Sequence, residues 1–397
     1  MIRLLLLLFA LMLGGAARAE TVAIVGASLY RSPTAPRERA DVVIADGKIA
    51  AIGAGVPIPA GARRIDAAGA FLTAGFWNCH VHFTEPKFAD AAHQPAAALL
   101  ASLAAMLTRW GFVTVVDTAS FLENTVALRR RIDGGDVAGP RILTAGGALY
   151  PPDGIPYYVR DAVPKEVLPL LAQPRTAAKA KAIVEQQLAS GGDLVKLFTG
   201  SWVTRGKVKL MPLDVATAAV RAAHGRKRLV FAHPSNVAGA RVAIDAGVDV
   251  LAHAIEELRG YDPSLLHAMA ARKMALVPTL ALFAGDEQID AIVNEVKEAR
   301  ALGVRILFGT DVGFRTEYSP AGDYAMLALA GFDGRALLAA LTTAPAEEFG
   351  VAAHAGTLAV GHDADLVALD ADPVEDVRAL TRVRFTMRAG RVLWQAP

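Results

Sequence analysis

His80 and His82 stand one residue apart in the stretch FWNCHVHF, directly after an apolar run that reads as a strand. Alternate residues of a strand point the same way, so the pair presents two imidazoles from one face, as a single metal ion requires. Further residues of ligand or bridging type fall in later strand-like segments: Lys196 in LVKLF, His233 in FAHP, His253 in LAHA and Asp311 in FGTD. Imidazole and carboxylate suit zinc and similar borderline divalent ions, and a mouth that collects several of them can hold two ions. Two cations call for a bridging anion. Lys196, flanked by Leu, Val, Leu and Phe, is desolvated and shifted toward the neutral amine. A neutral amine can take up carbon dioxide, which makes Lys196 a candidate N6-carboxylysine. A metal-activated hydroxide would be the nucleophile, and Asp311 is placed to take a proton from it and pass that proton to a leaving nitrogen.

These residues need elements that bring them together. Short β-branched segments alternate with Ala-rich helical ones, the pattern of repeated βα units and a parallel sheet. Eight strands are predicted, over residues 70–76, 112–118, 141–147, 193–199, 228–234, 248–254, 274–280 and 305–311. Helices are predicted at Ala177 to Ala189, Leu213 to His224, Val237 to Ala246 and Pro263 to Arg272, with a further one in 284–303 that ends at Gly303. This is the count of an α/β (β/α)8 TIM barrel, whose catalytic residues sit at the C-terminal strand ends. The expected ligands occupy strands one, four, five, six and eight. His224 and His267 fall on helices, His354 and His362 near the C-terminal β segment and His93 in a long loop, so these five stay outside the site. The chain ends read as all-β, with an Asp46-Gly47 hairpin turn early and Gly turns late. The expected organisation is a β-sandwich domain from residues 20–70 and 356–397, with the barrel, 71–355, inserted between them.

The set His80, His82, Lys196, His233, His253 and Asp311 resembles the ligand set of the amidohydrolase superfamily in its binuclear form. The flanking segments DGKIAAIG and AGTLAVGHDADLVALD are similar to those of imidazolonepropionase-like and prolidase-like members. The resemblance implies that His80, His82 and Asp311 bind the more buried ion, that His233 and His253 bind the outer one, and that carboxylated Lys196 bridges two divalent ions, zinc by default. It implies hydrolysis of an amide, dipeptide or cyclic amide C–N bond. Two alternatives stay open: a lactonase or phosphotriesterase on the same ions, and a catalytically silent binding protein. Asn78 stands where relatives commonly carry Asp, which alters a partner of the first ligand. Cys79 should point away from the ions and act as a small buried hydrophobe.

Specificity in this architecture comes from loops after the strands. Tyr157, Tyr158 and Arg160 lie in the third loop, Trp202, Arg205, Lys207 and Lys209 in the fourth, and Arg315 and Tyr318 in the eighth. Together they favour a small, carboxylate-bearing substrate, with Tyr157, Tyr158, Trp202, Arg205 and Arg315 as the contacts. The opening MIRLLLLLFALMLGGAARAE reads as a secretory signal peptide over residues 1–19, cleaved after Ala19. Cleavage would remove Arg3 and Arg18 and take 41 basic residues to 39, equal to the 39 acidic ones. That balance points away from nucleic acid and anionic membranes as partners. The expected location is the periplasm or the medium, and oligomeric state is left open. One cysteine excludes an intramolecular disulfide.

Overall fold

Eight short parallel strands carry the candidate ligands: β1 (Phe76–Val81), β2 (Phe112–Asp117), β3 (Arg141–Thr144), β4 (Val195–Phe198), β5 (Val230–His233), β6 (Val250–Ala252), β7 (Ala275–Val277) and β8 (Arg305–Ile306). They are seen in a computed structural model that describes residues 20–397, so the expected leader over 1–19 lies outside the described residues. β1, β2 and β3 form one sheet in that order, and β4 to β8 form a second. Backbone hydrogen bonds cross both gaps between the sheets. Leu149 N donates to Lys196 O (2.9 Å) and Phe198 N to Leu149 O (2.9 Å) on one side. On the other, Cys79 N donates to Phe308 O (2.7 Å), Asp311 N to His80 O (2.9 Å) and His82 N to Val312 O (2.8 Å). Every residue of β1, β2, β4 and β5 is buried, as expected of parallel strands covered on both faces.

The helices follow their sequence signals closely. Ala177–Ala189, Leu213–His224 and Val237–Ala246 have the predicted bounds. The Thr176 and Asn236 side chains cap the first and the last of these by accepting from Lys179 N and Gly239 N, and left-handed Gly247 closes the helix that Asn236 opens. Ser264–Ala271 and Ile289–Ala301 are slightly shorter than expected. Among the described residues no helix is long and apolar enough to cross a membrane.

The first predicted strand is corrected. The run 70–76 divides at Gly75: Phe71–Ala74 joins a sheet built from the chain ends, and β1 starts afresh at Phe76. Gly75 sits where a Cβ would lie 2.3 Å from Val113 Cγ2, so only glycine lets the chain pass from one sheet to the other this close to β2. The eighth strand is shorter than predicted, because the chain leaves β geometry before Asp311.

The sheet from the chain ends has eight strands. Phe71–Ala74 pairs antiparallel with Leu366–Leu369 and parallel with Val22–Tyr30, and Val383–Arg388 and Arg391–Gln395 extend it on the C-terminal side. Asp46 (φ 51°) and Gly47 (φ 74°) make the expected tight hairpin between Arg37–Ala45 and Lys48–Gly53. Ile24, Val42, Ile49, Leu72, Leu366 and Phe385 belong to a core of its own.

Candidate metal centre

Strand alternation turns Cys79 into an apolar cluster with Trp77 and Phe231, and burial pushes its thiol pKa up, as expected of an inert buried cysteine. His80 and His82 face the other way. Their Nε2 atoms lie 3.2 and 2.8 Å from one oxygen, Asp311 Oδ1. Asp311 reaches this point from a left-handed backbone (φ 59°) that its amide pins to His80 O. Gly313 (φ 99°) completes the turn, where a Cβ would come within 2.0 Å of His82 O. His253 (φ 115°), Thr279 (φ 47°) and Ser235 (φ 56°) also hold positive φ just past strand ends. Such non-glycine strain costs on the order of 1–3 kcal/mol per residue and gathers where a site demands it.

The hydrogen bonds fix which ring nitrogens carry protons. His82 Nδ1 lies 2.9 Å from Ala119 O, a carbonyl that can only accept, so Nδ1 donates; Nε2, 2.8 Å from the ionised Asp311, donates to that oxygen when it carries a proton and is the nitrogen free to bind a cation when it does not. His253 Nδ1 lies 2.7 Å from Thr279 Oγ1, whose own proton goes to Pro278 O (2.8 Å), so His253 Nε2 is an acceptor. Donor atoms of His80, His253 and Asp311 lie within 4.8 Å of one another. His233 is ring-to-ring with His253 (centroids 4.6 Å apart) and stacks on Phe198 (4.5 Å), and its buried Nε2 has no protein partner. Imidazole nitrogens and a carboxylate oxygen converging on one point form a donor set that fits a borderline divalent metal.

Charge follows the same geometry. Burial drives His80 down to about 3 and holds His233 and His253 well below the usual imidazole range. Burial alone would raise the Asp311 carboxyl, but the His80 and His82 rings beside it hold it far below the ordinary value. For His82 burial opposes the proton, yet the hydrogen bond to Asp311 and its charge raise the pKa. Lys196 is 1% exposed, and burial brings it down to about 7, with only the charge of Asp311 acting the other way. His80, His82, His253 and Asp311 thus lie side by side with His233 next to His253, and Lys196, on β4, is linked to them through its charge acting on His80, His233 and His253.

The residues behind them were partly missed by sequence reasoning. Asn78 is buried; its Oδ1 accepts from His80 N and Thr310 N (3.2 Å each) while Nδ2 donates to Thr310 Oγ1 (2.8 Å), tying β1 to the Asp311 turn. Asp117, the last residue of β2, accepts from Ser120 and Thr144 and acts electrostatically on His82. Its place at the end of FVTVVDT was the available signal. Thr279, in VPTL at the end of the seventh predicted strand, gave a similar one.

The expected substrate contacts are dispersed. Tyr157 and Tyr158 start the helix Tyr157–Ala162, and Tyr158 meets Phe314 edge-on at 5.5 Å. Burial and the carboxylate of Glu256 keep the Tyr158 phenol protonated far above its usual range. Trp202 Nε1 donates to Glu256 Oε2 (2.7 Å). Arg205 is exposed, its guanidinium 6.0 Å from the Tyr157 ring centroid. Arg315 turns to Asp323 (3.2 Å) and Thr310 O (3.3 Å), so it braces the Asp311 turn. Tyr318 donates to Glu85 (2.6 Å) and packs against Lys87.

Residues 71–393 match the sequence profile described as the Amidohydrolase family. Ochratoxinase of Aspergillus niger is 25% identical over 398 residues, spanning 86% of this chain and 80% of that protein. A Bifidobacterium longum protein provisionally named a prolidase superposes with a TM-score of 0.80 at 26% identity, covering 95% of each chain. The crystal structure of A. niger ochratoxinase gives a TM-score of 0.77 at 22% identity, over 95% of this chain and 96% of that one, a likeness of fold.

Proposed function

The chain belongs to the amidohydrolase family, and from that premise we propose a metal-dependent hydrolase that cleaves the C–N bond of a small amide, dipeptide or cyclic amide. The observation that carries this reading is the approach of two imidazole Nε2 atoms, of His80 and His82, to one oxygen of Asp311. In this reading β1 to β8 close into a (β/α)8 barrel, which the backbone hydrogen bonds across both gaps support. The β-sandwich expected from the two chain ends, 20–70 and 356–397, would also take in Phe71–Ala74, so the barrel would begin at β1 instead of at residue 71.

His80, His82 and Asp311 would hold one divalent ion, zinc by default, and His233 and His253 a second. Lys196, neutral in a large fraction of molecules near neutral pH and carboxylated by carbon dioxide, would lie between them. When bound, the ions supply Lewis acidity and lower the pKa of water. Asp311, ionised because the two histidines hold its pKa down, accepts the proton of the attacking water and delivers it to the departing nitrogen. A C–O bond forms, the C–N bond breaks, and an acid and an amine leave. The protonated Tyr158 hydroxyl is the chain's donor to the scissile carbonyl oxygen. Arg160 and Arg205, on the rim beside Tyr157, are the cations left to meet a substrate carboxylate.

The test is metal content per chain by elemental analysis, for the wild type and Lys196→Ala, with an amide and dipeptide panel alongside. Two ions in the wild type, fewer in the variant, and turnover of amides are expected. One ion, unchanged in the variant, would remove Lys196 as a bridge. The activity is proposed to work after export, and N-terminal sequencing of the matured protein should then start at Glu20.

A further inference from the structure

Glu256 is the third residue after His253 and belongs to none of the expected ligand positions. Its half-buried carboxylate accepts one hydrogen bond, from Trp202 Nε1 at 2.7 Å. Trp202 stands on the strand Gly200–Thr204 that follows β4, and Glu256 on the loop after β6, so their contact spans the end of β5, where His233 sits. Beside it the loops after β5 and β6 are stitched together, Glu257 N donating to Ser235 O at 3.0 Å. Among the described residues no Lys, Arg or His pairs with the Glu256 carboxylate, and the other charge acting on it, Asp286, has the same sign. The hydroxyl of Tyr158 lies in the field of both Glu256 and Asp311, which links this carboxylate to the ligand cluster.

The cations of the mouth do not answer this charge. Arg315 is tied to Asp323, Arg160 Nη2 donates to Val203 O (3.2 Å), and Arg205 sits over Tyr157. A half-buried carboxylate with a single neutral donor keeps an oxygen free to accept, and an ammonium group is the partner that binds it most strongly. Asp311 serves the leaving nitrogen from the end of β8, whereas Glu256 belongs to the arc over β4 to β6, so the group it receives lies on the acyl side of the scissile bond.

Building on the hydrolase reading above, we propose that Glu256, held in place by Trp202, is the subsite for a protonated amine on the acyl side of the substrate. The preferred substrates are then aminoacyl amides or dipeptides with a free α-amino group, and N-acylated analogues are poor ones.

The test compares L-leucine p-nitroanilide with its N-acetyl derivative, in metal-loaded wild type and Glu256→Gln. Gln keeps an acceptor for Trp202 and removes the charge. The wild type should favour the free amine by about tenfold or more in kcat/KM, and Glu256→Gln should lower that ratio by a similar factor. Calorimetric binding of a non-hydrolysable phosphonate dipeptide analogue, with its amine free or acetylated, reads the same preference without turnover. Hydrolysis of both anilides with equal kcat/KM would overturn the subsite and leave the hydrolase reading intact. Tighter binding of the free-amine analogue with no turnover of any amide would leave the subsite standing and remove the hydrolase reading. A ratio unchanged by Glu256→Gln, with both substrates slowed alike, would reduce Glu256 to a brace for Trp202.

Discussion

At the scale of single residues, the candidate centre depends on partners that fix protons as much as on the ligands. Thr279 accepts from His253 Nδ1 because its own hydroxyl proton is committed to Pro278 O. Thr279→Val removes that acceptor, and metal affinity measured by competition with a chelator should fall by roughly 10–100-fold. Asn78 satisfies two buried backbone amides at once. Asn78→Ala should cost about 1–3 kcal/mol in urea unfolding, since those two buried donors lose their acceptor. Asp311→Asn should lower kcat by about 10²–10⁴ by removing the proton acceptor. The six candidate ligands stood out in the sequence because their chemical types recur at predicted strand ends, and three of them, His80, His253 and Asp311, bring donor atoms together in the structure. Glu256 did not stand out, since a Glu acquires a role only from the loop it faces, and Thr279 was marked only by its place at a predicted strand end. Arg315 read as a free cation; its partner Asp323 sits on the next helix, and no pattern in the sequence announces that pairing.

At the scale of elements, the helix Ile289–Ala301 carries a buried acid on its inner face. Glu295 is 2% exposed and accepts from Ile255 N (3.0 Å) through Oε2, while Oε1 has no partner. Burial raises its pKa from 4.5 to about 8. A raised carboxyl contributes stability that is complete below the unfolded value, 4.5, and is lost as pH climbs through about 8. Glu295→Gln keeps an acceptor for Ile255 and does not titrate. The stability of the wild type relative to this variant should therefore fall by about 1.4 kcal/mol per pH unit across that window. Urea titrations of both proteins near its two ends measure it, and a constant difference would count against a neutral Glu295. Helix bounds were readable because Thr176, Asn236 and Gly247 mark them chemically. The break at Gly75 was not, because an apolar run does not say which sheet each half will join.

At the scale of the whole molecule, the candidate ligands join distant parts of the chain, His80 near its start and Asp311 near its end. A bound ion stabilises only the folded arrangement, so the chelated protein should melt lower than the loaded one, by an amount that grows with free metal concentration. Differential scanning of loaded and chelated samples checks this, and equal Tm values would argue against metal binding to the cluster. The sheet made from both chain ends adds a constraint of timing. Phe71–Ala74 pairs on one edge with Leu366–Leu369, which in turn needs Val383–Arg388. On the ribosome the early strand emerges hundreds of residues before its partner, and its open edge waits until that partner is made. Strands made much later thus finish a sheet begun early, and the polypeptide must be kept from false pairings until they arrive.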